Sequence, residues 1–498
     1  MKQDRRYLFI IAALFLFNSC AVWYGFDRMP LLTNSDECFF SDPAISLLRG
    51  YGYICKSVLN FDKVFGHHPP LYFLLQAFIF NCFGISAFTL RSAGIIFYIL
   101  SLLGVALIFF RLFQIGIFGK LAFFLTTTLF FSDLTFFSYA RWGRPDSLAL
   151  FLGISAFLLL LSKTQITSAK KRWVAAAIIM GLSLSTHFEM VIFWAIFVAA
   201  SVFRFGRKNH PSPLKVWGFI LPLAFIPLFV VTVIWVLTNG ARSYSAMLQF
   251  RQILQIYLVK HYAIIDFFQK GLSDLPADFM RGGGQALILV IFSWVVLLAR
   301  LYSELRSQRP FSFLRNKWLV IMAVLNLVVF MVLTLFTEWG TQRMLVVLPI
   351  ALVGLGVALS GLDLKSFVQK LVIYSIIFLA LLGLAAKVFY ILKVHAEWSQ
   401  RDPDRFHELV SNIPLKSRAL IAYPLWFEFM RQGRPVRFIS YLEDLEHYKN
   451  SPRELEAFDI IILRTHQVPL LVEALSNWKA RVVKIGTEEF IIFEKSLR

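Results

Sequence analysis

The chain has 498 residues, 58% of them hydrophobic and 16% charged, and a formal net charge of +20. That is more apolar surface than one soluble core can bury, which excludes a water-soluble globular enzyme. The Lys and Arg residues fall in short segments between apolar runs, where they act as topology signals, so the basic balance implies a membrane and no nucleic-acid partner.

Taken in chain order, Lys2, Arg5 and Arg6 precede an apolar run from Tyr7 to Tyr24. This predicts a first span with a cytoplasmic amino terminus, kept as an anchor because no convincing small-residue cleavage site follows it. Further apolar runs lie near 88–110, 120–138, 147–162, 173–186, 189–203, 216–238, 285–302, 318–337, 344–361 and 371–392. The basic clusters Lys163, Lys170, Lys171, Arg172 and Arg204, Arg207, Lys208 flank the pair at 173–203. Both clusters belong inside, so that pair reads as a hairpin with His187 at its outer tip. The run Leu71–Phe83, which follows Pro69 and Pro70, is short for a span. With Asp36 outside and Arg111 and Lys120 inside, only the 88–110 run needs to cross, and 71–83 becomes a helix at the outer interface.

The count gives about eleven crossings. It divides the chain into a transmembrane catalytic region, 1–392, and an extracytoplasmic domain, 393–498. The first outer loop covers 27–87 and a later one 239–284. The tail alternates short β-rich runs, Ala419–Ala422 and Asp459–Leu463, with helical stretches at 441–449 and 468–478, the pattern of a small α/β domain. The fold class expected is therefore a polytopic α-helical membrane protein with a small carboxyl-terminal α/β extracytoplasmic domain. Among the four cysteines, Cys38 and Cys55 share the first outer loop and are candidates for a disulfide if that face is oxidising.

The chemistry gathers on the outer side. Asp36 and Glu37 are adjacent carboxylates after the first span, followed about thirty residues later by His67-His68-Pro69-Pro70. Arg91, Arg141, Arg144, Asp146, His187, Glu189, Glu338 and Arg343 are predicted at the same face from distant parts of the chain. A carboxylate that activates a hydroxyl, with cations that stabilise a leaving phosphate, needs such a mixture. A lipid phosphate stays near the bilayer surface because its tail lies in hydrocarbon, and helix-end arginines reach that depth. Any single arginine there is also accounted for as a snorkelling anchor.

Ser35-Asp36-Glu37, His68-Pro69-Pro70-Leu71-Tyr72-Phe73-Leu74, Phe83-Gly84, Leu90-Arg91, Tyr139-Ala140-Arg141 and Arg144-Pro145-Asp146, in this order, resemble the GT-C superfamily of integral-membrane glycosyltransferases. The nearest branch holds the protein O-mannosyltransferases and lipid A aminoarabinose transferases. The resemblance covers the first 240 or so residues in motif and the later helices in architecture only. It implies a GT-C fold and a polyprenyl-phosphate-sugar-dependent hexosyl- or pentosyltransferase of the plasma (inner) membrane.

In that family an acid of the first outer loop serves the acceptor and a second acid sits in the next loop, which implies catalytic roles for Asp36 and Asp146 with Glu37 assisting. Arg144, Arg343, Arg91, His68 and Arg141 are then the donor phosphate-binding candidates, and His187, Lys260 and Tyr262 the substrate-binding ones. Some relatives hold a divalent metal, and His67, His187 and His261 are its candidate ligands here. The implied partners are a polyprenyl-phosphate sugar donor, membrane lipid, and a glycolipid, polysaccharide or protein acceptor. The later outer loop has only about 45 residues, without the large inserted domain usual in protein mannosylation, which favours the first two acceptors. A transporter or flippase of lipid-linked sugars and a non-catalytic assembly partner are the competing classes. The former predicts charges at mid-membrane and broken helices in two related halves.

Overall fold

The computed structural model describes residues 2–27, 36–57, 69–161, 166–187, 190, 191, 193, 194, 196, 197, 213–239, 283–306, 317–336, 341–360, 366–396, 403–439, 442–485 and 488–495. Apolar runs form helices because hydrocarbon leaves backbone polar groups no partner but one another. Helix α1 (Lys2–Ala21) leads to a long connection that carries α2 (Asp36–Leu48) and α3 (Leu71–Phe83). Then follow α4 (Ala87–Gln114), α5 (Lys120–Ser132), α6 (Leu134–Ala140), α7 (Asp146–Leu161), α8 (Ile166–Leu184) and α9 (Pro213–Asn239). The remaining bundle helices are α10 (Gly283–Arg306), α11 (Lys317–Phe336), α12 (Thr341–Leu359) and α13 (Phe367–Ala396).

Three described stretches are long and apolar enough to cross a bilayer alone: Ala87–Gln114, Gln285–Arg306 and Phe367–Ala396. The run at 120–138, expected as one crossing, is broken. Its two halves, α5 and α6, meet at an angle of 44° around Asp133. The polar groups freed by the break are taken up inside the bundle. Asp133 accepts the Phe136 N–H at 2.9 Å, Gln285 accepts the Leu134 N–H at 2.9 Å, and Lys387 donates to the Phe131 carbonyl and to Asn18, each at 2.6 Å. An ionisable group buried at such depth has to find partners, and here it staples the bend. The bend aims α6 at the start of α7 and so fixes the turn at 141–145.

Two glycines let that turn settle on α4. A Cβ on Gly94 would lie 3.1 Å from the Ala140 carbonyl oxygen and 3.2 Å from that of Trp142, and a Cβ on Gly143 would collide with the Leu90 side chain. The close approach carries the turn to one helical turn of α4 around Arg91.

The carboxyl-terminal region holds a five-stranded sheet in the order β2-β1-β3-β5-β4. Its strands are β1 (Ala419–Ala422), β2 (Val436–Ile439), β3 (Ile460–Arg464), β4 (Lys479–Ile485) and β5 (Glu488–Glu494). β1 pairs in parallel with β2 and β3, and β5 runs antiparallel to both β3 and β4. The stretch at 468–478, expected to be helical, begins in a 3-10 turn around Pro469 and continues in turns. Proline removes the N–H that an α-helix interior requires. Between β1 and β2 lies α14 (Trp426–Arg431), whose Trp426 is fully buried.

The same apolar core contains Phe40 of α2, Phe73 of α3, Trp426 of α14 and Ile462 of β3, so α2 and α3 pack with the sheet around one core. Two polar contacts pin it: Phe438 N–H to the Ser57 carbonyl at 2.9 Å and Arg49 to the Met430 carbonyl at 2.7 Å. Cys38 donates to the Tyr423 carbonyl at 3.6 Å. Cys38 and Cys55 are separate buried thiols, and the disulfide considered from their loop is not formed.

Candidate active site

Five segments converge where α2 begins. Glu37, fully buried, accepts two hydrogen bonds of 2.7 Å from the Arg91 guanidinium and a third of 3.1 Å from the Gly143 N–H. Arg91 also donates to the Phe26 carbonyl at 2.7 Å. Tyr72 of α3 reaches the same turn from the other side, its hydroxyl donating to the Gly143 carbonyl at 3.0 Å. Burial, with the charges of Asp146 and Glu37 adding to it, pushes the Tyr72 phenol far above its ordinary range, so it stays a donor.

Past the turn, Arg144 Nε donates to Asp146 Oδ2 at 2.8 Å, and His187 Nε2 lies 3.9 Å from Asp146 Oδ1. All three side chains are buried. The Arg144 guanidinium sits 5.2 Å over the ring of Phe40 in α2 and 5.9 Å over that of Tyr139, a cation–π placement that orients it. The Leu71 N–H donates to the Ser185 carbonyl at 3.3 Å, which ties the start of α3 to the turn that follows α8.

Arg141 is fully buried, donates Nη2 to the Tyr24 carbonyl, and lies over Tyr390 at 5.3 Å and Phe137 at 5.7 Å. Its Nε and Nη1 have no hydrogen-bond partner among the described residues. Buried guanidinium donors left so are costly, and an incoming anion relieves that cost.

Of the residues singled out from sequence, the structure thus brings together Glu37, Arg91, Arg141, Arg144, Asp146 and His187, with Asp36 opening the helix that supplies Glu37. Arg343 lies in the first turn of α12. His67, His68, Glu189, Lys260, His261, Tyr262 and Glu338 lie outside the described residues. A metal needs more donors than Asp146 and His187 supply, since one Asp146 oxygen is already taken by Arg144, and no group of three His, Cys, Asp or Glu side chains converges among the described residues. Tyr72, Gly94, Gly143 and the Asn18, Asp133, Gln285, Lys387 staple were not anticipated. Asp133 and Lys387 did carry a signal, as ionisable residues inside apolar runs.

The described residues thus combine a helical membrane bundle, a loop after α1 that carries helices of its own, and an α/β sheet packed on those helices. Among solved structures, ArnT from Cupriavidus metallidurans shares this fold. Its complex with undecaprenyl phosphate matches with a TM-score of 0.57 at 12% identity, covering 98% of each chain. Its apo form matches with a TM-score of 0.56, also at 12% identity, covering 97% of each chain. Archaeal oligosaccharyltransferase AglB from Archaeoglobus fulgidus matches more distantly, with a TM-score of 0.49, 13% identity, and coverage of 96% of this chain and 74% of its own. No protein-family profile matches the chain, and no curated protein matches it in sequence.

Proposed function

We propose that this chain is an inverting glycosyltransferase that moves a sugar from a polyprenyl-phosphate donor to an acceptor hydroxyl on the outer face of the plasma membrane. The observation that carries the reading is the buried group Arg144, Asp146 and His187 packed beside the opening of α2, in a fold shared with a protein solved bound to undecaprenyl phosphate. The chain then crosses the membrane about eleven times, with its amino terminus in the cytoplasm and the sheet outside. The acceptor is a glycolipid or polysaccharide in preference to a protein.

In the displacement, the acceptor oxygen bonds to the anomeric carbon while the bond from that carbon to the phosphate oxygen breaks. Asp36 takes the hydroxyl proton, and the polyprenyl phosphate leaves with the electron pair. Arg144 and Arg141 stabilise the departing anion, with Arg343 and His68 as further candidates. Asp146 holds Arg144 in register and, with His187, orients the acceptor. Glu37 and Arg91, expected as catalytic assistant and phosphate ligand, are re-read as partners in a strut that holds the turn at Gly143.

The test is turnover of purified protein with a polyprenyl-phosphate sugar. Asp36→Asn should lower the rate by about 10²–10⁴-fold with thermal unfolding unchanged, the range of a lost general base. Retained turnover in that variant would transfer the role elsewhere. An unmodified protein inert with every such donor would point to a flippase or an assembly partner instead.

A further inference from the structure

Arg141 is seated by a helix that the proposed chemistry leaves aside. Its guanidinium lies 5.3 Å over Tyr390 of α13 and 5.7 Å over Phe137 of α6, and those two rings meet edge to face with centroids 6.1 Å apart. Lys387, one turn before Tyr390 on α13, is fully buried and sets its ammonium 5.3 Å over the same Phe137 ring. In the last turn of α13, His395 Nδ1 bonds to the Tyr24 hydroxyl, and the Tyr24 carbonyl is the group that accepts from Arg141. At about 100° per residue, positions 387, 390 and 395 fall within about 140° of one another round the helix, so a single face of α13 carries all three.

Each contact removes a freedom that the guanidinium would otherwise have. The Lys387 ammonium is held by the Phe131 carbonyl and by Asn18, at 2.6 Å each, and so ties α13 to α5 and α1. The Phe137 ring lies against that fixed ammonium, and Tyr390 against the ring. His395 holds the Tyr24 side chain, which sets the place of the Tyr24 backbone carbonyl. Packing alone accounts for Tyr390, an aromatic against the bundle core. It does not account for a buried ammonium beside the ring that a guanidinium also uses, because like charges so near repel and burial adds to the cost. Such an arrangement is kept where the exact pose of the second cation matters. A guanidinium binds phosphate through a planar fork, and the fork gains most when its plane is set before the ligand arrives.

We infer that one face of α13 positions Arg141 for the donor phosphate, with Lys387 and His395 as positioning residues that act through it. Lys387 sets the ring against which the guanidinium lies, and His395 sets the carbonyl that the guanidinium grips. This role for α13 rests on the reading of Arg141 as a ligand of that phosphate, and carries control of the ligand from the turn at 141–145 to the last helix of the bundle. It also gives Lys387 two separate uses. The staple at the bend between α5 and α6 needs its bonds to Phe131 and Asn18, whereas the seat of Arg141 needs its place over Phe137.

The experiment is binding of undecaprenyl phosphate to the detergent-purified full chain, read by native mass spectrometry, with thermal unfolding followed alongside. His395→Ala is expected to weaken binding about tenfold, the size of one misplaced charge-assisted contact. Unfolding should change little, because His395 is exposed. His395→Asn offers Tyr24 a polar atom near the place of Nδ1 and should bind within about twofold of the unmodified protein. Lys387→Met should also weaken binding about tenfold. Combined with Arg141→Lys it should weaken binding no further than Arg141→Lys alone, since residues that act through one group are not additive. If Lys387→Met does not fold, the His395 series decides alone. Folded variants that bind as the unmodified protein does, losses that add to that of Arg141→Lys, or a His395→Asn protein as weak as His395→Ala overturn the inference. Turnover is measured separately. An unmodified protein that binds the lipid phosphate but transfers no sugar ends the transfer reading and leaves the seating of Arg141 in force, whereas one that does not bind it ends this inference.

Discussion

Two buried ion pairs stand beside the same turn, and they are built differently. Glu37 and Arg91 meet in a fork of two 2.7 Å bonds, the carboxylate also holds the Gly143 N–H, and the guanidinium also holds the Phe26 carbonyl. Arg144 and Asp146 share one bond, and the second carboxylate oxygen faces His187 at 3.9 Å, beyond hydrogen-bond reach. The first pair ties α2, α4 and the segment that follows α1 into one piece. The second is oriented by aromatic faces, with His187 beside its carboxylate. A forked pair that also holds two backbone groups supports structure, whereas a singly bonded pair lying between aromatic rings is the more adaptable of the two.

Breaking each pair should separate these roles. Arg91→Ala leaves Glu37 as an unmatched buried charge, and the expected cost is about 3–5 kcal/mol in unfolding free energy, read as a large fall in thermal stability. Should Arg91→Ala keep its stability and lose only turnover, the strut reading fails and Arg91 returns to the phosphate candidates. Asp146→Asn keeps an acceptor for Arg144, so the expected loss of stability is smaller, about 1–3 kcal/mol. Its turnover should fall about 10²-fold or more, because the carboxylate that orients Arg144 and the acceptor is gone. Equal loss of stability and activity in the two variants would erase the distinction.

How much of this was legible in the sequence follows from which forces act locally. The apolar runs and the short 71–83 helix could be read because hydrophobic length and paired prolines are properties of contiguous residues. Charge parity and motif order led to the expectation that Asp36, Glu37, Arg141, Arg144 and Asp146 share one face. Which acid pairs with which base was not visible. The fork between Glu37 and Arg91 spans 54 positions, and it depends on Gly94 and Gly143 letting two backbones meet, which no pattern in either segment announces. The break at Asp133 was missed for a similar reason. A hydropathy window averages one polar residue away, and the partners that make the bend tolerable, Asn18, Gln285 and Lys387, come from three other helices. In the tail, β1 stood out as an apolar strip, whereas β4, with Lys479, Arg481 and Lys484 on an exposed edge strand, reads as loop.

Arg141 sharpens the comparison further, because it belongs to neither pair. It is as buried as Arg91, yet among the described residues its Nε and Nη1 lack the carboxylate that Glu37 gives its neighbour. If it waits for the donor phosphate, its planar fork matters more than its charge. Arg141→Lys keeps the charge and the stacking on Tyr390 and Phe137 in part, but removes the second donor direction. The expected result is a rise of about tenfold in the half-saturating concentration of polyprenyl-phosphate sugar, with kcat changed far less, since a phosphate held alike in ground and transition states contributes uniform binding. A fall in kcat at constant KM would instead place Arg141 against charge that develops only as the bond breaks, and would make it the stronger partner of Arg144. An unchanged protein on both measures would mean that the Tyr24 carbonyl is its whole purpose, a second strut beside the first.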